Sequence, residues 1–256
     1  MMRLLAAFTF FTRLPFWRIR EIPADAFKRV VPLWPLVGWL TGGVMAAVLW
    51  LCGQVMPLAL AWIAALLVRL LLTGALHEDG LADFIDGFGG GTSRERRLAI
   101  MKDSHIGTYG VLSLIFYYLL MLQIPQCVPL ETLCLLVLCG DCCAKGFAAQ
   151  LVNLLPYART EEEAKNKTVY NRMKWHEVLV CLLAGLAPVA VLTLVLHWLP
   201  LCFCWLLLVP VAVMLLLALL MKRKIQGYTG DCCGATFLLC ELSLYLAVLI
   251  AFSFWV

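Results

Sequence analysis

Residues 77–87 read HEDGLADFIDG and place four acidic side chains within nine positions of a chain that is otherwise largely apolar. In a helix, Asp79, Asp83 and Asp86 stand at positions i, i+4 and i+7 and project from one stripe. Three like charges on one stripe repel one another unless cations lie between them, and carboxylate oxygens suit Mg²⁺ or Mn²⁺. The spacing therefore predicts a divalent metal site. The alternative is a solvated helix end whose acids lie near the positive N-terminal dipole.

The segment after this motif supplies glycines and positive charge. The glycines of Gly87–Gly91 allow backbone amides to approach a phosphate closely, or they simply end the helix. Residues 92–100 predict an amphipathic helix on the membrane surface with Ser93 as its N-cap. The side chains expected to contact substrate phosphate or its surroundings are Arg96, Arg97, Lys102, Ser104 and His105.

His77 opens the acidic motif, yet it falls on the opposite side of an ideal helix from the three aspartates. If the helix begins only after this residue, His77 can still reach the site as a ligand or proton carrier. Asp103, beside Lys102, and Asp231, near the start of the last apolar run, are further candidate ligands. The sequence leaves these roles less determined than those of the three aspartates.

The composition excludes a soluble globular protein. Of the 256 residues, 63% are apolar and 14% are charged, which is typical of a polytopic membrane protein. Seven apolar runs are long enough to cross a hydrocarbon core of about 30 Å. They lie near 30–52, 57–76, 109–125, 128–152, 177–198, 200–221 and 235–255. We expect an all-α bundle of about seven transmembrane helices forming a single domain over residues 1–256, since no Pro-, Ser- or Gly-rich linker divides it.

The distribution of lysine and arginine predicts the orientation of this bundle. These residues concentrate in the N-terminal stretch and in the loops at 77–108, 156–175 and 222–230, whereas the alternate loops carry none. Cytoplasmic loops retain such residues, so the N-terminus and the acidic motif are predicted to lie on the cytoplasmic side of a bacterial inner membrane. Residues 1–20 predict an interfacial helix broken at Pro15. The net charge of +4 thus reflects topology and gives no case for nucleic-acid binding; the lipid bilayer is the expected partner.

Several charges fall inside the apolar runs and should face the interior of the bundle. Lys145 lies four residues after Asp141 and is its expected ion-pair partner. Arg69 is predicted to snorkel to the interface, with pairing to an acid or to phosphate as the alternative. Most of the twelve cysteines lie in apolar runs, and one Cys-x-x-Cys unit, Cys139–Cys142, is weak evidence for zinc.

An acidic, glycine-flanked cluster beside basic residues favours phosphoryl transfer. Metal ions held by carboxylates can clamp the attacking and leaving oxygens, and basic side chains neutralise the remaining phosphate charge. A cation-coupled transporter is the alternative from another class, although its acids should lie toward the middle of several spans.

Residues 77–87, together with Met101–Gly110 and the late Thr229-Gly-Asp231, resemble the cobalamin synthase family of adenosylcobinamide-GDP ribazoletransferases. The Phe11-Thr-Arg-Leu-Pro15 and Pro35-Leu-Val-Gly38 stretches fit the same pattern, so the resemblance covers residues 8 to about 245. Lys102 stands where the pattern has arginine, which keeps the charge but loses bidentate geometry. A CDP-alcohol phosphatidyltransferase-like enzyme shares the repeated aspartates, but its Asp-Gly-x-x-Ala-Arg element is missing here.

The resemblance implies a Mg²⁺-dependent transfer, with Mn²⁺ as a substitute. Either α-ribazole or its 5′-phosphate would attack the cobinamide-proximal phosphorus of adenosylcobinamide-GDP, giving adenosylcobalamin or its phosphate and releasing GMP. It implies Asp79, Asp83 and Asp86 as metal ligands, with Asp83 or Asp86 also a candidate base. Asp103 and Asp231 are second-tier ligands. The sequence leaves open whether the chain forms an oligomer.

Overall fold

The computed structural model describes residues 1–160, 162, 164, 168–196 and 205–253, and within these ranges every regular element is helical. The first six helices are α1 Met2–Phe11, α2 Ala24–Phe27, α3 Trp34–Gly53, α4 Leu58–Thr73, α5 Leu76–Gly90 and α6 Arg94–Ile100. The others are α7 Thr108–Met121, α8 Leu130–Ala148, α9 Leu151–Leu154, α10 Trp175–Leu196, α11 Leu208–Ile225 and α12 Gly230–Ser253. The all-α prediction is confirmed for the described part of the chain.

Among the described residues, five stretches are long and apolar enough to cross a membrane, namely Val31–Gly53, Thr108–Gln126, Leu130–Leu154, Trp205–Ile225 and Gly230–Ala251. The pair α4 and α5 raises this number to six if it forms one broken span. The chain is therefore a multi-pass membrane protein. The predicted count of seven stays a prediction, because residues 197–204 and 254–256, within three of the predicted spans, lie outside the described residues.

The N-terminal stretch contains a helix before Pro15, as predicted, while its place at the membrane interface stays a prediction. Helix α1 ends at Phe11, four residues before Pro15, and a short 3₁₀ turn covers Phe16–Arg18. The ring of Phe11 stacks on that of Trp34, with 4.9 Å between centroids and 9° between planes. This contact fixes the end of α1 against the start of α3.

The acidic helix α5 does not continue the direction of α4. Gly74 and Ala75 both have left-handed backbone conformations, with φ of 66° and 57°, and the two helix axes diverge by 87°. Glycine adopts this conformation without steric penalty and so ends α4, while Ala75 needs the surrounding packing to hold it there. The backbone N–H of Arg13 donates to the carbonyl of Leu72 at 2.7 Å and holds the turn from outside. As a result, the acidic motif runs crosswise to the preceding helix.

Small residues bring α3 and α8 into close contact. A Cβ atom added at Gly38 would lie 3.0 Å from the Cα of Cys142, and one at Gly42 would lie 3.2 Å from the Cα of Leu138. The same approach buries Asp141 fully, where it pairs with Lys145 and accepts a hydrogen bond from Thr41. The predicted Asp141–Lys145 pair is confirmed.

The snorkelling prediction for Arg69 is wrong. Its guanidinium is 2% exposed and donates to both oxygens of the fully buried Glu241, at 2.5 and 2.6 Å. The hydroxyl groups of Tyr117 and Tyr245 complete this cluster. Arg69 lies in the C-terminal half of α4, on the face that packs against the bundle. Pairing with an acid of α12 is the main compensation for its lost hydration.

The ten cysteines within the described ranges are free thiols, and nine of them are buried or partly buried. Buried thiols behave as small apolar groups. Within this part of the chain, the structure records no disulfide and no metal-binding group of cysteines.

Candidate active site

The candidate site forms where the acidic helix α5 crosses the start of α12. The two backbones meet at a pair of glycines: a Cβ atom on Gly80 would lie 3.1 Å from the carbonyl oxygen of Asp231, and one on Gly234 would lie 3.4 Å from the Cα of His77. Larger residues at either position would separate the helices. The crossing therefore carries His77 and Asp79 to the same place as Asp231, 152 positions later than Asp79 in the chain.

A cavity of 140 Å³ opens at this crossing. Its polar lining includes Asp79, Asp231, His77 and Arg159. Aromatic side chains contribute much of the rest, namely Phe10, Phe11, Trp34, Tyr157 and Tyr170. This acidic cavity combines two carboxylates, an imidazole and a guanidinium in a largely aromatic enclosure, an arrangement suited to orienting a ligand through a few polar groups.

His77 lines the acidic cavity although the helical wheel placed it away from the aspartates. The imidazole is 3% exposed and packs edge-on against Phe237 at 4.7 Å between ring centroids. Its Nε2 atom is buried without a hydrogen-bond partner. Because His77 stands in the first turn of α5, the turn at Gly74 and Ala75 decides its surroundings more than helical periodicity does.

The segment 156–159 is held beside this cavity by pairing with the chain just before α12. The N–H of Ala158 donates to the carbonyl of Tyr228 at 2.8 Å, and the N–H of Tyr228 donates to the carbonyl of Pro156 at 2.9 Å. Gly227 permits the approach, since a Cβ atom there would lie 2.5 Å from the Pro156 carbonyl oxygen. This short pairing places Tyr157 and Arg159 next to Asp231. Burial raises the pKa of Tyr157 to about 12, so its hydroxyl stays protonated near neutral pH and can donate a hydrogen bond.

The three aspartates predicted to share one metal site have different surroundings. Asp79 is exposed at the acidic cavity, Asp83 is buried one turn further along α5, and Asp86 is buried against α7. Within the described ranges, no three His, Cys, Asp or Glu side chains form a group that could hold a metal ion. The three α5 carboxylates therefore do not form one group in this part of the chain, and the cavity brings Asp79 together with Asp231. The binding of a metal ion by these aspartates stays a prediction.

Asp86 caps the start of α7. Its Oδ2 accepts from the N–H of Gly107 at 2.7 Å and its Oδ1 accepts from the N–H of Gly110 at 2.8 Å. A carboxylate is favourable there because the first N–H groups of a helix lack partners and the helix dipole is positive. The two glycines make room, since a Cβ atom on either would lie 2.5 Å or less from a carboxylate oxygen. Asp86 thus ties α5 to α7, and its role as a metal ligand stays a prediction.

We expect Asp86→Ala to destabilise the protein by about 2 kcal/mol, since the start of α7 would lose a charged cap in a buried position. The fraction of folded protein against the mole fraction of a denaturing detergent would measure the change. Asp25→Ala removes an exposed carboxylate on α2 and serves as the matched control. Equal stability of the two variants would contradict the capping role.

A second, larger cavity of 550 Å³ lies on the other side of the 156–159 segment. Its charged lining consists of Arg94, Lys102, Arg159 and Glu95, and it shares Tyr157 and Arg159 with the acidic cavity. We call it the basic cavity. Of the residues predicted to contact substrate, only Lys102 lines either of these two cavities.

The remaining predicted contact residues lie elsewhere on this side of the molecule. Arg96 is exposed on α6, and Arg97 packs against Gly91 with its Nε atom buried and unpaired. Ser104 is exposed. Asp103 accepts from the backbone N–H of the exposed His105 at 3.0 Å and contacts its imidazole Nδ1 at 2.7 Å, and these hydrogen bonds lower the pKa of the Asp103 carboxyl. This pair lies outside both cavities, so the structure gives no support for Asp103 as a ligand.

Other predictions for α5 and α6 can be compared directly with the structure. The predicted N-cap is confirmed, because Ser93 accepts from the N–H of Arg96 at 3.1 Å. Helix α5 ends at Gly90 with Gly91 as its C-cap, so the glycine stretch ends the helix as one of the two predictions had it. The glycines also allow close packing, with Gly87 against Met101 and Gly89 against the ring of Tyr109.

Sequence reasoning missed Tyr157 and Arg159 as site residues. Arg159 counted only toward the orientation of the membrane helices, and nothing in its local pattern indicates the pairing of 156–158 with Tyr228. Sequence reasoning also missed Glu78, whose side chain is 5% exposed and forms a hydrogen bond with Tyr118. Glu78 therefore faces the bundle, while its neighbour Asp79 faces the cavity. The available signal was the position of Arg159 just after an apolar run, in a loop predicted to face the same side as the acidic motif.

The fold and the site define a class: a multi-pass helical membrane protein with carboxylates and basic side chains gathered at the crossing of two helices. Residues 3–249 match the family of cobalamin-5-phosphate synthases, and the chain belongs to this family. A Shewanella amazonensis protein named adenosylcobinamide-GDP ribazoletransferase is 37% identical over 97% of this chain and 95% of its own length. A Ralstonia pickettii protein of the same name is 36% identical over 90% of this chain and 88% of its own. No solved structure matches the chain.

Proposed function

We propose that the chain is an adenosylcobinamide-GDP ribazoletransferase, which joins adenosylcobinamide-GDP to α-ribazole or its 5′-phosphate and releases GMP. The observation that carries this proposal is the acidic cavity, in which residues of the family-matched segment meet at one place. Family membership and the names of relatives covering nearly the whole chain support the same reaction. They favour it over a transporter and over a CDP-alcohol phosphatidyltransferase.

The donor set of the cavity fits Mg²⁺. This ion is usually held by one or two carboxylates, with waters and substrate phosphates completing its shell. Asp79 and Asp231 would hold it, and Asp83, one turn from Asp79 on α5, is a further candidate ligand. When bound, Mg²⁺ or Mn²⁺ would supply Lewis-acid polarisation of phosphate oxygens and neutralise part of their charge.

The side chains of the cavity would bind, orient and exchange protons with the substrates. In the reaction a bond forms between a ribose hydroxyl oxygen that is free in both α-ribazole and its 5′-phosphate and the cobinamide-proximal phosphorus. The bond from that phosphorus to the oxygen of the GMP leaving group breaks. The acceptor oxygen must lose a proton as this occurs. His77 lines the cavity and its buried Nε2 lacks a hydrogen-bond partner, so this imidazole is the candidate to receive that proton. Arg159 and the protonated Tyr157 would donate hydrogen bonds to phosphate oxygens from the opposite wall.

We further propose that this site faces the cytoplasm of a bacterial inner membrane. The lysines and arginines of the N-terminal stretch, the α5–α7 region and the 156–175 loop lie on the chain segments that surround the two cavities. Retention of basic loops on the cytoplasmic side supports this orientation. It also gives the site access to soluble nucleotide substrates.

The reaction is tested by GMP release from adenosylcobinamide-GDP and α-ribazole with protein in detergent or liposomes. We expect GMP and a matching cobalamin product in equal amounts, with turnover lost when a chelator removes Mg²⁺ and restored when Mg²⁺ is added back. Folded protein that gives no turnover with either α-ribazole or its 5′-phosphate would contradict the proposal. Turnover unaffected by the chelator would contradict only its metal part.

A further inference from the structure

The proposed reaction assigns roles to the carboxylates of the acidic cavity and none to the basic cavity. The two cavities nevertheless share one wall. Tyr157 and Arg159 line both. The volume of the basic cavity, 550 Å³, is within the range of small-molecule sites, whereas the acidic cavity is much smaller at 140 Å³. Together the two cavities offer space for two parts of one substrate on either side of Tyr157 and Arg159.

The charge of the basic cavity selects for an anion. It has three cationic side chains, Arg94, Lys102 and Arg159, and one carboxylate, Glu95. A nucleoside monophosphate carries up to two negative charges at neutral pH, which equals the excess of positive charge in the lining. The acidic cavity, with Asp79 and Asp231, has the opposite character.

Hydrogen bonds to backbone carbonyls brace this cavity. Arg94 donates from Nε to Ile225 at 3.0 Å and from Nη2 to Ala158 at 2.7 Å, and Arg159 donates from Nη2 to Leu98 at 2.7 Å. These bonds join α6, the 156–159 segment and the end of α11 without neutralising either guanidinium. Arg94 also pairs with the exposed Glu95 at 3.9 Å, so Arg159 carries the fixed charge that this cavity leaves for a ligand. Lys102 is exposed just after the end of α6 and can adjust to a ligand.

We propose that the basic cavity binds the nucleoside monophosphate leaving group of the activated donor, with its phosphate between Lys102 and Arg159. This inference rests on the proposed function, which supplies a donor with a nucleotide leaving group. The reacting phosphorus then lies near Tyr157 and Arg159, at the boundary of the two cavities. The carboxylates of the acidic cavity face the attacking acceptor, and the cations of the basic cavity face the departing phosphate. A leaving phosphate gains charge as its bond breaks, so cations on its side favour departure.

The test is equilibrium binding of GMP to the full-length protein in an uncharged detergent, by dialysis against labelled GMP without any second substrate. We expect Lys102→Gln to weaken GMP binding about tenfold, the effect of losing one charge-assisted hydrogen bond. Lys102→Arg should keep the binding because it keeps the charge. Guanosine, which lacks the phosphate, should bind the wild-type protein and Lys102→Gln equally. Lys222→Gln removes an exposed lysine at the end of α11, outside both cavities, and is the matched control.

Three results would overturn the proposal. The first is equal GMP affinity of Lys102→Gln and the wild-type protein. The second is an equal loss of guanosine and GMP binding, which would indicate a structural effect. The third is that Lys102→Gln weakens retention of phosphatidylglycerol in nanodiscs but not GMP binding, which would assign the cavity to a lipid phosphate. If the wild-type protein turns over substrate while Lys102→Gln binds GMP normally, the proposed function stands and this inference alone fails. If the wild-type protein neither turns over substrate nor binds GMP, both the proposed function and this inference fail.

Discussion

Asp79→Asn and Asp231→Asn are each expected to reduce kcat for GMP release by about 100-fold or more while the protein remains folded. Each substitution removes one negative charge from the acidic cavity at nearly constant side-chain volume. Loss of a group that holds the metal should raise the barrier by several kcal/mol, and each 1.36 kcal/mol is a tenfold change in rate. The two residues are far apart in sequence, so equal defects would support their sharing one site.

The measurement is steady-state GMP release over a range of Mg²⁺ concentrations. Because both variants weaken the same metal site, the Mg²⁺ concentration for half-maximal rate should rise in each. Asp25→Asn, an exposed aspartate on α2, is the control and should behave as the wild-type protein. Wild-type kcat and Mg²⁺ dependence in Asp231→Asn would contradict the pairing of α5 with α12 at the site. Asp83→Asn tests the remaining candidate in the same assay, and full Mg²⁺-dependent turnover would remove Asp83 from the ligand set.

Arg69→Met is expected to destabilise the protein by about 3 kcal/mol or more. The carboxylate of Glu241 is fully buried and would keep only the hydroxyl groups of Tyr117 and Tyr245 as partners. Removing one member of a buried ion pair leaves an uncompensated charge, which costs about 3–5 kcal/mol. Denaturing-detergent titration followed by circular dichroism, or by reaction of the buried cysteines with a thiol dye, would measure the loss.

The double variant Arg69→Met with Glu241→Met separates the charge from the packing. Replacing both members of a buried pair with apolar side chains of similar volume is often neutral, so we expect the double variant to recover most of the lost stability. Arg20→Met, at an exposed position, is the control for loss of an arginine. A decrease in Arg69→Met no larger than in Arg20→Met, or a double variant less stable than Arg69→Met, would contradict this account.

The buried pairs also lie directly behind the site. Phe237 has the Lys145 ammonium 4.2 Å and the Arg69 guanidinium 5.9 Å from its ring centroid, and it packs edge-on against His77. A cation over an aromatic ring is attracted by its quadrupole. Phe237 therefore lies between the charged interior of the bundle and one wall of the acidic cavity. It also packs against the imidazole of His77, whose position the helical wheel did not predict.

The sequence by itself determined what depends on composition and local spacing. Apolar runs of sufficient length predict membrane helices because an unpaired backbone cannot lie in lipid. The spacing of Asp141 and Lys145 predicts their ion pair because i and i+4 meet on one helix face. The N-cap at Ser93 and the motif of residues 77–87 are local in the same sense, so the acidic helix and its family resemblance were visible without a structure.

The tertiary structure decided which of these residues meet. The turn at Gly74 and Ala75 directs α5 across the bundle, and the crossing of Gly80 with Gly234 brings Asp231 to Asp79 while leaving Asp86 to cap α7. Arg69 pairs with Glu241, 172 positions later in the chain. Backbone pairing of residues 156–158 with Tyr228 places Arg159 at the site. Such contacts depend on packing between distant segments, which helical periodicity within one segment does not encode.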